Sequence, residues 1–163
     1  GELYRWQGRL DEAEAEALRA VEMDPRFPPS HFILGLVYQD RGLYDRAIAE
    51  MQQAADASPA WRWAVGPTYV KAGRTEEARR LLAELGTKKP TPWGAFWRVA
   101  ISSALGEHDE AFRWLAYEPH HIWIAWSRVL DWCPVPRTDP RFDAALRRMN
   151  LPPLPQELKR PSH

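Results

Sequence analysis

Apolar side chains recur every three or four residues along most of the chain, which is the spacing of helices with one buried face. The clearest stretch predicts a helix over 44–57. Its apolar face is formed by Ala47, Ile48, Met51, Ala54 and Ala55. Similar stretches predict further helices over 10–23, 92–105, 109–117 and 121–132. Asp139 as N-cap and Pro140 at the first helical position predict a short last helix. The pattern therefore predicts an all-α protein.

One short sequence frame occurs four times between these helices. Each copy has a glycine, an acidic residue three positions later, and an alanine two positions after the acid. The copies are Gly8-x-x-Asp11-Glu12-Ala13, Gly42-x-x-Asp45-Arg46-Ala47, Gly73-x-x-Glu76-Glu77-Ala78 and Gly106-x-x-Asp109-Glu110-Ala111. The glycines are 34, 31 and 33 residues apart. The frame therefore predicts repeated helix pairs, with the acidic residue in the first turn of each second helix, where it complements the helix dipole.

The best-formed copy is 31–59, and it resembles a tetratricopeptide repeat (TPR). The marked positions are His31, Leu34, Gly35, Tyr38, Gly42, Ala47, Met51 and Pro59. Gly35 and Ala47 are small where two helices would cross closely, and Gly42 suits the left-handed end of the first helix. The resemblance implies a right-handed α-α superhelix, a TPR solenoid, with capping helices at its C-terminal side.

The resemblance divides residues 1–133 into successive units. We expect a half repeat over 1–25, repeats over 26–59 and 60–90, a degenerate repeat over 91–118 and a capping helix over 119–133. A linker and final short helix over 134–151 and a Pro-rich tail over 152–163, expected to be disordered, complete the chain. Because the first unit begins in mid-helix, we expect that segments of a longer protein precede it.

The last helix and the residues around it, 139–152, resemble the closing segment of bacterial TPR regions. In such proteins the repeats often follow a winged-helix DNA-binding domain, a protein kinase domain or a nucleotide cyclase domain. The resemblance implies the C-terminal TPR region of a bacterial signalling or regulatory protein. The fourth unit departs from the repeat pattern at Arg98, Val99 and Ser102.

A proline interrupts the first helix of the third unit. Pro67 removes one helical hydrogen bond and clashes with the preceding turn. We therefore predict a kink or a late helix start near Gly66 and Pro67.

Composition narrows the range of functions. The chain has 22 basic and 22 acidic residues, so it lacks the basic excess of a nucleic-acid-binding protein. Its single cysteine, Cys133, excludes an internal disulfide and a cysteine-based metal cluster. No apolar run approaches the roughly 20 residues of a membrane span. We expect a cytoplasmic protein with no cofactor and no metal. With nine tryptophans, some indole rings should reach the surface.

The first helices of TPR units form the inner wall of the solenoid, so their side chains are the candidate binding residues. We predict a concave aromatic groove that binds a peptide or helix of a protein partner. Its candidate residues are Arg5, Phe32, Gln39, Trp63, Lys71, Trp93 and Phe96. The alternative for each residue is packing within the protein or against preceding repeats.

The histidines, the cysteine and the C-terminal arginines give little support for a metal site or a catalytic site. His120 and His121 point about 100° apart on a helix and cannot chelate a metal from one face. His31 and His108 occupy repeat positions, and we expect a surface or capping role for all four histidines. Cys133 lacks the histidine and acid of a nucleophilic site. Arg147 and Arg148 make the C-terminal part mildly basic, as on a solvated helix face. We therefore predict that the protein is not an enzyme.

Two other functions remain open. The chain is alternatively a regulatory or oligomerisation segment of a larger bacterial transcription regulator, kinase or cyclase, with a homodimer formed through the exposed terminal repeat. Helical-repeat RNA binding would need a basic inner wall, and the candidate positions contain too few cations.

Overall fold

The structure, a computed structural model, describes residues 1–117 and 135–155. Every regular element in these two ranges is a helix, which confirms the all-α class. The helices are α1 (Glu2–Trp6), α2 (Leu10–Met23), α3 (Pro28–Asp40), α4 (Tyr44–Ala57), a 3₁₀ helix (Pro59–Val65), α5 (Gly66–Lys71), α6 (Thr75–Gly86), α7 (Pro92–Ala104), α8 (His108–Tyr117) and α9 (Pro140–Arg148). The capping helix predicted over 119–133 lies outside the described residues.

A left-handed glycine ends the first helix of each predicted pair. Gly8, Gly42, Gly73 and Gly106 have φ angles of 71°, 73°, 74° and 76°. In each case the next N–H donates to the carbonyl five residues earlier, as from Leu43 to Tyr38 at 2.8 Å. This is the hydrogen bond of a Schellman cap, which only a left-handed residue allows at low cost. The fourfold sequence frame therefore corresponds to a fourfold backbone turn.

The chain forms two compact units, and the first comprises Gly1–Glu77. Its core contains Ala17, Leu34, Tyr38 and Ala47, and Val21 and Ile33 pack against it. α3 and α4 cross most closely at Gly35. A Cβ atom there would lie 3.0 Å from Met51 Cγ and 3.1 Å from the Ala47 carbonyl oxygen. The predicted reason for a glycine at this position is thus confirmed.

Gly1 repeats this arrangement in α1 and α2. A Cβ on Gly1 would lie 3.1 Å from Ile33 Cγ2 and 3.7 Å from the Ala13 carbonyl oxygen. Gly1 and Ala13 have the same separation in sequence as Gly35 and Ala47. Gly1 therefore faces Ala13 of α2 as Gly35 faces Ala47 of α4, at a longer distance.

Pro67 delays the start of a helix, as predicted. Residues 59–65 form a 3₁₀ helix, and the α-helical segment begins at Gly66 with Pro67 among its first residues. At that position the missing proline N–H would have no intrahelical partner anyway.

The second unit comprises Ala78–His163. Its first full helix, α7, begins after Thr91, whose Oγ1 accepts from the Gly94 N–H at 3.0 Å. α7 is buried on every side from Gly94 to Ser103, and α8 packs against it. α9 packs on α8 and buries Phe142 and Leu146 completely.

The segment after α9 differs in part from the disorder expected over 152–163. Asn150 has a φ of 57°, and the Leu151 N–H donates to the Leu146 carbonyl at 3.0 Å. Asn150 therefore ends α9 as the glycines end the other helices. Leu154 is only 4% exposed, so residues 152–155 pack on the protein through this apolar side chain. Residues 156–163 lie outside the described residues.

Candidate partner-binding surface

Two tryptophans of the first unit lie on the 3₁₀ helix. Its start is set by Pro59, and it places Trp61 against Phe32 of α3, with ring centroids 5.2 Å apart. Phe32 is 5% exposed, whereas Trp61 is half-buried. Phe32 is therefore too buried to contact a partner itself, and it supports the half-buried ring of Trp61.

Trp63 lies two residues further along the same helix and is also half-buried. The Arg62 guanidinium carbon lies 5.9 Å from the Trp63 ring centroid, within the range of a cation–π contact. Lys71 ends α5 and is exposed. Among the candidates in the first unit, Trp63 and Lys71 have side chains that solvent reaches.

Arg5 is buried and makes an ion pair instead of lining an open groove. Its Nη1 donates to Asp40 Oδ2 at 2.6 Å, and the two side chains are 2% and 25% exposed. This charge-assisted bond connects α1 to the C-terminal end of α3. The predicted polar clamp is therefore a contact between two helices of the same unit.

Gln39 is also buried, and its partner is a side chain of α5. Gln39 Oε1 accepts a hydrogen bond from Thr68 Oγ1 at 2.9 Å, and both side chains are at most 5% exposed. A buried amide needs such a partner to compensate for its lost hydration. Gln39 therefore holds α5 against α3.

Trp93 and Phe96 belong to the second unit, where α7 carries three aromatic rings in its first turns. Trp93 is half-buried and stacks on Phe96, with ring centroids 5.7 Å apart and an interplanar angle of 22°. Trp97 contacts both rings edge-on, at 5.3 Å and 5.0 Å. Phe96 and Trp97 are 7% and 1% exposed. Trp93 is thus the accessible ring of a packed aromatic cluster.

The seven candidate residues separate into two groups. Arg5, Phe32, Gln39 and Phe96 are buried and packed within the protein, the alternative that the sequence left open for each of them. Trp63, Lys71 and Trp93 are partly or fully exposed. The candidates predicted from the sequence did not include Trp61. The signal that could have identified it is its position two residues before the candidate Trp63.

Arg98, one of the three departures from the repeat pattern in the fourth repeat, has a structural role. It is 4% exposed, and its Nη2 donates to the carbonyl oxygens of Leu85 and Lys88, the second at 3.3 Å. Its guanidinium carbon lies 3.9 Å from the centroid of Trp114. Burial lowers the pKa of Arg98 below its ordinary value. Arg98 caps the C-terminal end of α6, where a cation is favourable.

His31 does not lie at the surface, which was one of the two roles expected for it. The ring is 6% exposed and lies between Glu50 of α4 and the Pro25 carbonyl in the turn before α3. His108 is exposed at the start of α8. His120, His121 and Cys133 lie outside the described residues. Within 1–117 and 135–155, no three His, Cys, Asp or Glu side chains are grouped to hold a metal ion.

The cationic side chains of α9 lie on the surface. Arg147 and Arg148 are exposed in its last turn. Arg141 bonds to Asp109 and Asp139.

None of the helices in the two described ranges has the length and apolar character that crossing a membrane requires.

Comparison with protein-family models identifies part of the chain. The family model described as tetratricopeptide repeat matches residues 28–60, which contain α3, α4 and the first residues of the 3₁₀ helix. No curated protein matches the chain significantly. The matched segment supports a TPR-type protein with a helical repeat fold, and proteins with such repeats generally mediate protein–protein interactions.

Proposed function

We propose that the chain is a non-catalytic, cytoplasmic protein–protein interaction module that binds a peptide or helix of a protein partner. The observation that supports this most directly is the aromatic cluster of α7. Trp93 presents a half-buried ring that is stacked on buried Phe96. A tryptophan held in place by its neighbours loses little entropy on binding, which is typical of interface anchors.

The first unit supports the same function with a second anchor. Trp63 is half-buried next to Arg62, and exposed Lys71 provides a charge that can pair with an acidic group of a partner. We propose that each compact unit carries its own partner contact, through Trp63 and Lys71 in the first unit and through Trp93 in the second. Arg5, Phe32, Gln39 and Phe96 act behind them by holding the helices in position.

A display experiment tests this function without knowledge of the partner. A library of random peptides is selected on the wild-type chain, and the enriched peptides are measured on Trp63→Ala, Lys71→Ala and Trp93→Ala. We expect each enriched peptide to bind about tenfold or more weakly to at least one of the two tryptophan variants, as for hot-spot residues. Tyr117→Ala removes an aromatic residue that is 48% exposed on α8 and serves as the matched control.

Circular dichroism establishes that each variant is folded. Equal binding by the wild type and the folded tryptophan variants would refute the proposed surface. Failure to enrich any peptide would count against peptide binding itself.

A second function is favoured by exposed apolar residues on α1. Leu3 and Trp6 are 63% and 45% exposed, and large apolar side chains in adjacent turns favour burial against another surface. Under this alternative, α1 packs on a second copy or on another domain of a larger bacterial transcription regulator, kinase or cyclase. Light scattering over a concentration series tests the homodimer. A molar mass that rises with concentration in the wild type but not in Leu3→Asp would support the homodimer. A monomer mass at every concentration would exclude it.

A further inference from the structure

The environment of His31 determines its charge. Nδ1 lies 2.8 Å from Glu50 Oε2, and Nε2 lies 3.0 Å from the Pro25 carbonyl oxygen. A carboxylate and a carbonyl can only accept hydrogen bonds, so each contact requires a proton on the ring nitrogen. A neutral imidazole has one N–H, and only the imidazolium has two. The geometry therefore corresponds to a protonated His31.

The cation is stable in this buried position because of its two partners. Burial by itself lowers the pKa of His31, but the hydrogen bonds to Glu50 and to the Pro25 carbonyl outweigh burial and raise the pKa above the ordinary histidine value of about 6.5. Glu50, whose side chain is 25% exposed, also supplies the compensating charge. The ion pair thus connects α3 to α4 while the second bond connects α3 to the preceding turn.

Other charged groups lie on the elements next to His31. α4 also carries Arg46, whose guanidinium lies 5.8 Å from the Tyr38 ring, and α2 carries Glu14, which acts on the Tyr38 hydroxyl. At the far end of α3, Asp40 is paired with Arg5 of α1. In the turn, Asp24 accepts from the Arg26 backbone N–H. Among these groups, Glu50 is the one with a described contact to His31.

We propose that His31 is a proton-dependent latch, which holds the turn over residues 24–27 against α3 and α4 when it is protonated and releases this turn when it loses a proton. A neutral ring keeps only one of its two hydrogen bonds. The bond to the Glu50 carboxylate is the stronger, because its acceptor is charged. The bond to the Pro25 carbonyl is therefore the one that is lost, and Nε2 would then direct a lone pair at an oxygen atom.

The effect on stability has a definite sign. Because the folded state binds the His31 proton more tightly than the unfolded state, the contribution is fully present below pH of about 6.5. It is lost as the pH rises through the higher pKa of the folded state. The latch is therefore closed in mildly acidic solution and opens towards alkaline pH.

Histidine NMR on the wild-type chain tests the charge state directly. The chain has five histidines, and sequence-specific assignment of the wild-type spectrum identifies the ring signals of His31. We expect both ring nitrogens to be protonated at pH 6.5, and a titration midpoint above that value. A neutral ring at pH 6.5, or a midpoint below it, would overturn the proposal whether or not any variant folds.

Thermal unfolding at pH 6.0 and pH 8.5 tests the consequence. The wild type should lose several degrees more between these values than His31→Gln or Glu50→Gln, because either change removes the protonated pair. His108→Gln, which changes an exposed histidine, should behave as the wild type. Equal pH dependence in the wild type and a folded His31→Gln would contradict the latch.

Discussion

At the level of single residues, the same few positions recur because each pair of helices needs the same turn. A left-handed residue lets the chain reverse while the last N–H groups still find acceptors. In two of these turns, the tyrosine whose carbonyl accepts the capping hydrogen bond also contacts the guanidinium group of the residue after the glycine. Arg9 lies 4.6 Å from the Tyr4 ring and Arg74 lies 4.9 Å from the Tyr69 ring. The two arginines also pair with glutamates three residues later.

Replacing one cap glycine tests the cost of its backbone conformation. Gly42 has a φ of 73° and open space where a Cβ atom would lie, so Gly42→Ala meets backbone strain without a steric clash. We expect a loss of about 1–2 kcal/mol in the free energy of unfolding, measured with urea. Gly86→Ala is the matched control. Gly86 ends α6 with equally open space and without a left-handed φ, so alanine there should be neutral or should stabilise by up to about 1 kcal/mol.

Replacing Arg98 by lysine keeps the positive charge but not the contacts of the guanidinium group. Its planar guanidinium donates to two carbonyls and stacks on Trp114 at the same time, which an ammonium group cannot reproduce. We expect Arg98→Lys to lower the free energy of unfolding by about 1–3 kcal/mol, the cost of leaving buried acceptors poorly satisfied. Arg80→Lys, on the exposed side of α6, is the control and should change nothing measurable. Equal urea midpoints for the two variants would contradict the capping role.

At the level of the helices, α3 and α7 are buried at more positions than the second helices that follow them. α3 is buried at nine positions and α7 at ten, so partners surround both helices. α4 and α8 bury four and three residues, along one face each. This difference follows from the repeat, in which first helices lie between neighbouring second helices. It also explains why periodicity located α4 more clearly than α3.

Arg141 of α9 connects this helix to α8. Arg141 donates to Asp109 at 2.7 Å and to Asp139 at 2.8 Å, and its guanidinium lies 4.3 Å from the Phe112 ring centroid. The two carboxylates raise the pKa of Arg141 further above its ordinary value. We expect Arg141→Ala to increase amide hydrogen exchange in α9 before the rest of the chain is affected.

Arg147→Ala is the control for this effect, because Arg147 is exposed on the same helix. The Arg141 effect should also shrink at high salt, since the ion pairs are partly exposed and are screened there. Unchanged exchange in α9 would mean that Phe142 and Leu146 alone hold the helix.

At the level of the whole molecule, charge balance should control solubility. The formal net charge is zero at pH 7 and the sequence pI is about 7.2. Proteins without net charge associate most readily, so we expect a solubility minimum near pH 7.2 in polyethylene glycol precipitation. Lys88→Glu combined with Lys89→Glu changes two exposed side chains and should raise solubility at that pH. A wild type that is least soluble well away from pH 7.2 would show that surface patches dominate instead.

Much of the helical architecture could be predicted from local sequence. The bounds of α2 and α4, the cap at Asp139, and the delayed helix at Pro67 all agree with the sequence predictions. Each depends on residues a few positions apart: apolar spacing, a side chain that caps its own helix, or a ring that fixes φ. The tetratricopeptide match over 28–60 falls on the segment in which the repeat pattern is most complete.

The candidate site was less predictable because exposure depends on residues far apart in sequence. Phe32 and Trp63 both occupy first-helix positions, yet Trp61 lies against Phe32, while Trp63 stays half-exposed. His31 likewise becomes a buried cation only because Glu50 and the Pro25 carbonyl approach it from two sides. Repeat period and turn positions thus follow from short-range backbone and side-chain preferences. Burial and protonation follow from packing between helices, which brings these distant residues together.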